Sequence, residues 1–244
     1  VTYLHHSSAL PAAVVALGFA VLARVMGAVT DGGAIAGALV AFVLMTAGGL
    51  TAFLPLIAVF LVTLLATRWR SERKRSLGVA ERHGGRRASQ VLANLGAAGL
   101  CSVGAILFPQ RSHELMIGAV AVLAEAAADT VSSEAGQGVA SKARMILGFQ
   151  RAAIGTNGAI SFAGTLAGCI AASAVAWTAS LFDVIAWRWA PIVALVGTVG
   201  MLFDSLLGAV FENEGKMGND SVNFVSTVFA ADLALFAVVL LERL

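Results

Sequence analysis

What this chain lacks is charge. Of its 244 residues only 12% are Asp, Glu, Lys or Arg, against 59% hydrophobic, whereas soluble domains carry about 25% charged residues. With a mean hydropathy of +0.87, that shortage excludes an ordinary soluble domain. Cysteine is scarce as well. Cys101 and Cys169 each fall in the middle of an apolar run and read as small packing residues, so neither a disulfide nor a metal role is expected. There is no CxxC, no HExxH and no histidine cluster, which removes the usual zinc sites. No GxxxxGK[ST] occurs, which excludes a P-loop nucleotide site. No Lys or Arg precedes Leu10, although a secretory leader opens on a basic stretch, so Leu10 to Ala28 is expected to be a span rather than a cleaved signal.

What is present is a series of near-continuous apolar runs, without the ten-residue alternation of a membrane barrel. The chain is therefore expected to be all-α, a polytopic membrane helix bundle forming a single domain over residues 1–244. Windows of membrane-spanning length place spans at 9–26, 34–48, 50–67, 91–108, 115–131, 158–178, 190–208 and 224–241. The second is short enough to be re-entrant, so seven or eight transmembrane helices are expected. The 26 glycines suit close helix packing, and Gly164-x-x-x-Gly168 allows it within one chain or between chains; oligomeric state is not readable. Trp177, Trp187 and Trp189 read as interfacial anchors.

The cations set the orientation. Segment 68–90 holds Arg68, Arg70, Arg73, Lys74, Arg75, Arg82, Arg86 and Arg87 against Glu72 and Glu81, and is predicted to be a cytoplasmic loop. Alternation then puts Arg24, Lys142, Arg144, Arg151 and Lys216 on the same side, and Arg111, Arg188 and Arg243 on the other. Asp31, the run Asp129–Glu134, Thr156-Asn157, Asp204 and the segment Asn219–Asn223 fall at or near that cytoplasmic face. Polar groups at such depth usually face protein, water or ligand, and so mark function. Two pairs echo each other: Thr30-Asp31-Gly32 with Thr156-Asn157-Gly158, and Asn94 with Asn223. They suggest two parallel four-helix halves, although such short glycine-rich matches also arise by chance. Asp232, inside the last span, is expected to pair with a polar neighbour and is given no catalytic role.

Carboxylates beside a dense basic segment are what phosphoryl transfer needs: acids to hold Mg²⁺, cations to offset phosphate charge. Asp129, Glu134, Asp204 and Asp220 are the candidate catalytic groups and metal ligands. Glu125 and Asp129, four apart on a helix, share a face, as do Asp129 and Ser132 or Ser133. Glu134 joins them only if the helix has ended before Gly136 and Gly138. Arg86, Arg87, Lys142, Arg144 and Arg151 are the phosphate candidates. Most of the basic loop is equally what a topology signal touching anionic lipid looks like; Arg86 and Arg87, which abut a span, are the exceptions. The turns Thr30–Gly33 and Gly155–Gly158 each precede a helix start, where backbone N–H groups can hold an anion or simply serve as caps.

Several stretches resemble one known family. Gly85-Arg86-Arg87-Ala88-Ser89-Gln90-Val91-Leu92-Ala93-Asn94 resembles its arginine-to-QVLAN signature. Ala128-Asp129-Thr130-Val131-Ser132-Ser133-Glu134-Ala135-Gly136 resembles ADTWASE-G, with Val131 and Ser132 replacing Trp and Ala. Gly155–Ser161 is similar to its GT-N/G-GVS turn, Phe203–Ala209 to DSLLGA, and Asn219–Phe224 to D-x-VNF. The family is the integral membrane group called domain of unknown function ninety-two, which includes the phytyl-phosphate kinases of plants and cyanobacteria. The resemblance runs from about Thr30 to the C-terminus in motif order.

It implies phosphorylation of an isoprenyl, phytyl-like monophosphate to the diphosphate, with a nucleoside triphosphate (CTP) as co-substrate and Mg²⁺ as cofactor. Asp129 and Asp204, with Glu134 and Asp220, would hold the metal; Arg86, Lys142 and Arg144, with Ser133, Thr156 and Ser205, would meet phosphate oxygens; Asn94, Asn157 and Asn223 would orient the substrates. Membrane lipids are the expected surroundings and no nucleic acid is implied. Two other readings stay open: a transporter or flippase of a phospholipid or isoprenyl phosphate, and a CTP-dependent cytidylyltransferase of a lipid phosphate.

Overall fold

The computed structural model describes residues 9–79, 84–140 and 142–242; Glu81, Arg82 and Arg243, used above to argue orientation, lie outside these. Among the described residues eight apolar helices make the body of the molecule: α1 (Ala9–Val25), α2 (Asp31–Gly48), α3 (Phe53–Arg68), α5 (Ala88–Leu107), α6 (Ser112–Val139), α7 (Phe162–Leu181), α8 (Ala190–Leu207) and α9 (Asn219–Leu241). A six-residue helix, α4 (Ser71–Ser76), lies within the basic segment. Among the described residues seven helical segments are long and apolar enough to cross a membrane, α3 being counted with the 3₁₀ turn Leu50–Ala52 that leads into it; α1, with 17 residues, is a shorter apolar helix. The protein is a polytopic helical membrane protein.

Residues 31–33, expected to lie in a turn ahead of the second span, are the first turn of α2. The Thr30 hydroxyl accepts from the Gly33 N–H and so stands in for a missing backbone acceptor. At 18 residues this helix is a candidate for a full crossing. The segment Asn219–Asn223 is likewise the opening of α9 rather than a prelude to it. The largest difference concerns α6, which continues eight residues past the expected end at 131 and reaches Val139. Gly136 and Gly138 do not stop it: the start of α7 packs closely against the first, and Trp69 lies in van der Waals contact beside the second. Glu134 is thus helical, and turned off the face of Asp129.

The packing is centred on α6. Every residue from Met116 to Ala128 is buried, the pattern of a helix surrounded on all sides. Around it stand α5, α9, α8, α7 and α3, each packed on the next except across the gap between α3 and α5, outside which α2 lies on α5 and α1 on α2. The halves are therefore not packed alike: α1 sits at the edge and α6 at the centre. The two asparagines offset by 129 residues do meet, at Asn94 and Asn223. The Gly164-x-x-x-Gly168 face is used within the chain. An added Cβ at Gly164 would come 2.6 Å from the Ser132 carbonyl oxygen, and one at Gly168 2.9 Å from that of Ala128, so α7 can ride directly on α6.

Between α6 and α7 lies a three-stranded antiparallel sheet of β1 (Ala143–Met145), β2 (Arg151–Ala152) and β3 (Ala159–Ile160), in the order β2-β1-β3. It takes up residues assigned above to a loop and to the start of a span, and α7 begins only after Ser161, whose hydroxyl caps Gly164 N–H. Trp177 and Trp187 pack together at the surface, whereas Trp189 is buried, so only the first two can act as boundary anchors. Asp232 is exposed on the outer side of α9.

The basic segment is clamped to the end of α6. Lys74, 1% exposed, donates to the Ala66 and Thr67 carbonyls at 2.9 and 2.7 Å and pairs with the Glu134 carboxylate. Arg73 donates to the Ala140 carbonyl at 2.9 Å. Breaking one side of such a buried pair leaves an uncompensated charge, typically at about 3–5 kcal/mol. Lys74→Met should therefore lower stability by about that amount, read as thermal unfolding in detergent, and Lys74→Met/Glu134→Leu should recover most of the loss. A double variant no better than the single would show that the clamp is not an ion pair in energetic terms.

Candidate functional site

At the end of the bundle that carries α4, the α6–α7 sheet and the start of α9 enclose a polar cavity of about 180 Å³. Its carboxylates are Asp129 on α6, Asp204 on α8 and Glu212; Ser132, Ser133, Gln137, Ser161, Ser205 and Asn219 add hydroxyls and amides, and the turn Gly155–Gly158 closes one side with Thr156 and Asn157.

Local structure explains why these groups meet. Beyond Leu207, α8 continues as a π-turn over Gly208–Glu212, whose underwinding brings Glu212 back toward the face that bears Asp204; such turns recur at functional sites. The Gly155–Gly158 turn docks on this π-turn. Gly158 has φ +75°, and a Cβ there would run into the backbone of Ala209, so only glycine permits the approach. Asn213 ties the turn down by donating to the Asn157 carbonyl at 3.0 Å.

Beneath the cavity is a buried polar network. The Ser226 hydroxyl lies 2.8 Å from Glu125 Oε1, 3.0 Å from Asp204 Oδ2 and 3.0 Å from the Asn223 carbonyl, with one hydrogen to give. Asn223, with its amide oriented to satisfy its neighbours, donates to Asp204 Oδ2 at 3.2 Å and to the Asn219 carbonyl at 3.1 Å, and accepts from Asn94 Nδ2 at 3.1 Å. Glu125, Ser226, Asn223 and Asn94 are all buried. The network holds Asp204 from below while the rest of its carboxyl faces the cavity.

The sequence-predicted residues divide accordingly. Asp129, Ser133, Thr156, Asn157, Asp204 and Ser205 line the cavity. Asn94 and Asn223 belong to the supporting network. Glu134 instead serves the Lys74 clamp, for the reason given by α6's length. Asp220 sits in the first turn of α9, where a carboxylate suits the helix dipole, and does not line the cavity; its neighbour Asn219 does. Lys142 and Arg144 are exposed while Ala143 between them faces inward, and Arg144 donates to the Phe149 carbonyl. Arg86 approaches from the other side of α6, donating to Thr130 Oγ1 at 3.3 Å and acting electrostatically on Asp129. Glu212 was missed: its place depends on a π-turn that no residue pattern announces.

On Arg86's side, in the gap between α3 and α5, is a second and larger cavity of about 390 Å³. Phe19, Leu56, Val59 and Phe60 form its depth and Ala126 of α6 part of its wall; Arg68, Lys74, Arg75 and Arg86 stand at its mouth. Charge is sorted between the two cavities. Among the described lining residues, the polar one has three carboxylates and no Lys or Arg, and the apolar one has four cations and no carboxylate.

Fold and site together define a polytopic membrane protein with a carboxylate-lined cavity at one end of its bundle. The chain belongs to the family described as integral membrane protein DUF92, whose model matches residues 14–231. It is 33% identical over 201 residues to the uncharacterized membrane protein MJ0933 of Methanocaldococcus jannaschii, covering 80% of each chain. It is 30% identical over 197 residues to the chloroplastic protein VTE6 of Arabidopsis thaliana, covering 77% of this chain and 58% of that one. A membrane protein of Synechocystis, sll0875, is 29% identical over 79% of this chain and 76% of its own. No solved structure matches.

Ser226 is the joint of the network, since its hydroxyl alone reaches both Glu125 and Asp204. Ser226→Ala should destabilise the protein by about 1–3 kcal/mol, the cost of leaving a buried acceptor unsatisfied, and should do so without changing cavity residues. Unfolding of the two proteins in the same detergent measures the difference; equal stabilities would mean that water replaces the hydroxyl.

Proposed function

We propose that this protein is a membrane phosphotransferase that converts an isoprenyl, phytyl-like monophosphate to its diphosphate, with CTP as the nucleoside triphosphate donor and Mg²⁺ as cofactor. The observation that carries this reading is the cavity of Asp129, Asp204 and Glu212, which has no Lys or Arg among its described lining residues. A triphosphate could enter so anionic a space only with its charge offset by a divalent ion and by N–H and O–H donors. The resemblance to a group that includes phytyl-phosphate kinases, and the kinship with VTE6, support the same class of substrate.

The donor set fits Mg²⁺, because every side-chain ligand available is oxygen. Among the described residues no three His, Cys, Asp or Glu stand close enough to hold an ion by themselves. That too suits Mg²⁺, which is usually bound by one or two carboxylates plus phosphate oxygens and water. Asp129 and Asp204 would hold it, with Glu212 beside them; bound there, it would supply charge neutralisation for the phosphates.

The residues of the chain then act by positioning. Backbone N–H groups of the Gly155–Gly158 turn, the hydroxyls of Ser133, Thr156 and Ser205 and the amide of Asn157 orient the donor phosphates. An oxygen of the acceptor phosphate attacks the γ-phosphorus, a new P–O–P bond forms, the β–γ bridge breaks, and the nucleoside diphosphate leaves. The acceptor is already anionic and nucleophilic, so no covalent enzyme intermediate is needed, and alignment with charge offset does the catalysis. By the distribution of Lys and Arg, this face is cytoplasmic, where nucleotides are available.

The test is incubation of purified protein with Mg²⁺, CTP and a panel of isoprenyl monophosphates, with products resolved by mass spectrometry. Isoprenyl diphosphate and CDP are expected; a cytidylyl-lipid with pyrophosphate would make the protein a cytidylyltransferase instead, and no nucleotide-dependent product from folded protein would favour transport. Asp129→Asn and Asp204→Asn should each lower turnover about 100-fold or more, as removal of an electrostatic group from such a site does, while remaining folded. Wild-type turnover in either would take that residue out of the machinery.

A further inference from the structure

We infer that the hairpin of β1 and β2 docks on the lipid leaflet at its end of the bundle. Its apolar tip enters the acyl boundary, and its arginines hold the phosphate of an anionic phospholipid. The inference rests on the placement and charge of the hairpin and is independent of the reaction carried out in the polar cavity.

The level of the hairpin in the membrane follows from α7. That helix has 20 residues, which at about 1.5 Å each make roughly 30 Å, the thickness of a hydrocarbon core. Phe162, Leu166 and Ile170, four apart, are exposed and form a lipid-facing stripe that begins at the first residue of the helix. Toward the other end stand Trp177 and Trp187, packed together at the surface. β3 ends at Ile160, just ahead of Phe162, and β1 pairs with β3. Neighbouring strands lie about 5 Å apart, so the sheet is within reach of the headgroups.

Composition and register point to an anion. From Lys142 to Ser161 the chain carries Lys142, Arg144 and Arg151 and no Asp or Glu. Arg144 and Arg151 are register partners on adjacent strands. They therefore share the face opposite Ala143, which lines the polar cavity. Like charges placed directly opposite one another repel, and among the described residues neither arginine has a carboxylate within ion-pair distance. A phosphate between them would offset the repulsion and meet two guanidinium forks. Arg144 uses one N–H on the Phe149 carbonyl at 2.8 Å and keeps its other donors.

The tip between the strands is apolar. Leu147 is 50% exposed and Phe149 63%. Phe149 has φ +53°, a left-handed conformation that is costly for a bulky residue and persists where its surroundings impose it. Exposed apolar groups flanked by cations are the pattern of an interfacial anchor, with the apolar part in the acyl boundary and the charges on anionic headgroups. A phospholipid held there lies just outside the polar cavity, because the strand that carries Arg144 also forms part of the cavity wall.

The experiment uses the full chain in nanodiscs of phosphatidylcholine, with or without an equimolar amount of phosphatidylglycerol. A nitroxide is attached at Leu147→Cys after Cys101→Ala and Cys169→Ala, and its accessibility to oxygen and to a water-soluble nickel chelate is compared. In mixed discs the label should favour oxygen, as a group below the headgroups does. In parallel, photoreactive phosphatidylglycerol and phosphatidylcholine are crosslinked and the labelled peptides mapped. Phosphatidylglycerol should label residues 142–161 preferentially. Arg144→Gln/Arg151→Gln should cut that preference tenfold or more, since each basic residue near an anionic surface is worth about fivefold. Arg144→Lys/Arg151→Lys, which keeps the charge, should retain most of it. A label equally open to the nickel chelate in both kinds of disc would overturn the docking. So would equal labelling by the two lipids, an unchanged preference in the Gln variant, or an equal loss in the Lys variant, which would trace the effect to the shape of the sheet.

Discussion

A polar side chain in the centre of a membrane bundle must find its partners in protein, since lipid offers none, and α6 places this demand on the rest of the molecule. It carries Glu125, Asp129, Thr130, Ser132, Ser133 and Glu134 in three turns. Three of the six are answered by different neighbours: Glu125 by Ser226 on α9, Thr130 by Arg86 ahead of α5, Glu134 by Lys74 on α4. The remaining three open into one cavity. The helix that would be least comfortable in lipid is thus the one most completely withdrawn from it, and its neighbours are arranged by that need.

From the same arrangement comes the separation of charge. α6 stands as a partition with carboxylates on one side and cations on the other, and the two sets communicate through Arg86 and through the line Asn94–Asn223–Asp204. The separation is not complete, since Lys74 pairs directly with Glu134 and Arg86 acts on Asp129. Small residues make the partition thin: Gly164 and Gly168 bring α7 onto it, while Gly197 brings α8 within touching distance of Ala124.

Much of this was legible in the residues. Continuous apolar runs identify helices regardless of their partners, so every apolar helix was placed to within a few residues at most ends. Asp129 and Asp204 stood out because a carboxylate within or beside an apolar run is expensive wherever it points. Burial direction was not legible. Glu134 and Asp220 share the composition of the site residues, yet the uninterrupted helix turns one to Lys74 and the dipole of α9 accounts for the other. Lys142 and Arg144 were drawn in by proximity in the chain, which the strand reverses by facing Ala143 inward. Glu212 needed a π-turn, and the sheet at 143–160 needed short strands that only tertiary contact stabilises.

The Glu125–Ser226 contact joins residues 101 positions apart. During synthesis at about 5–20 residues per second, α6 therefore exists for roughly 5–20 s before its partner on α9 has been made. Throughout that interval a carboxylate-bearing helix must be sheltered by something other than its final neighbour, whether the insertion machinery or the helices already assembled. A chain released before α9 is complete would leave Glu125 and Asp204 without their shared hydroxyl. The packing of Glu125 thus depends on a helix made 101 residues later in the chain.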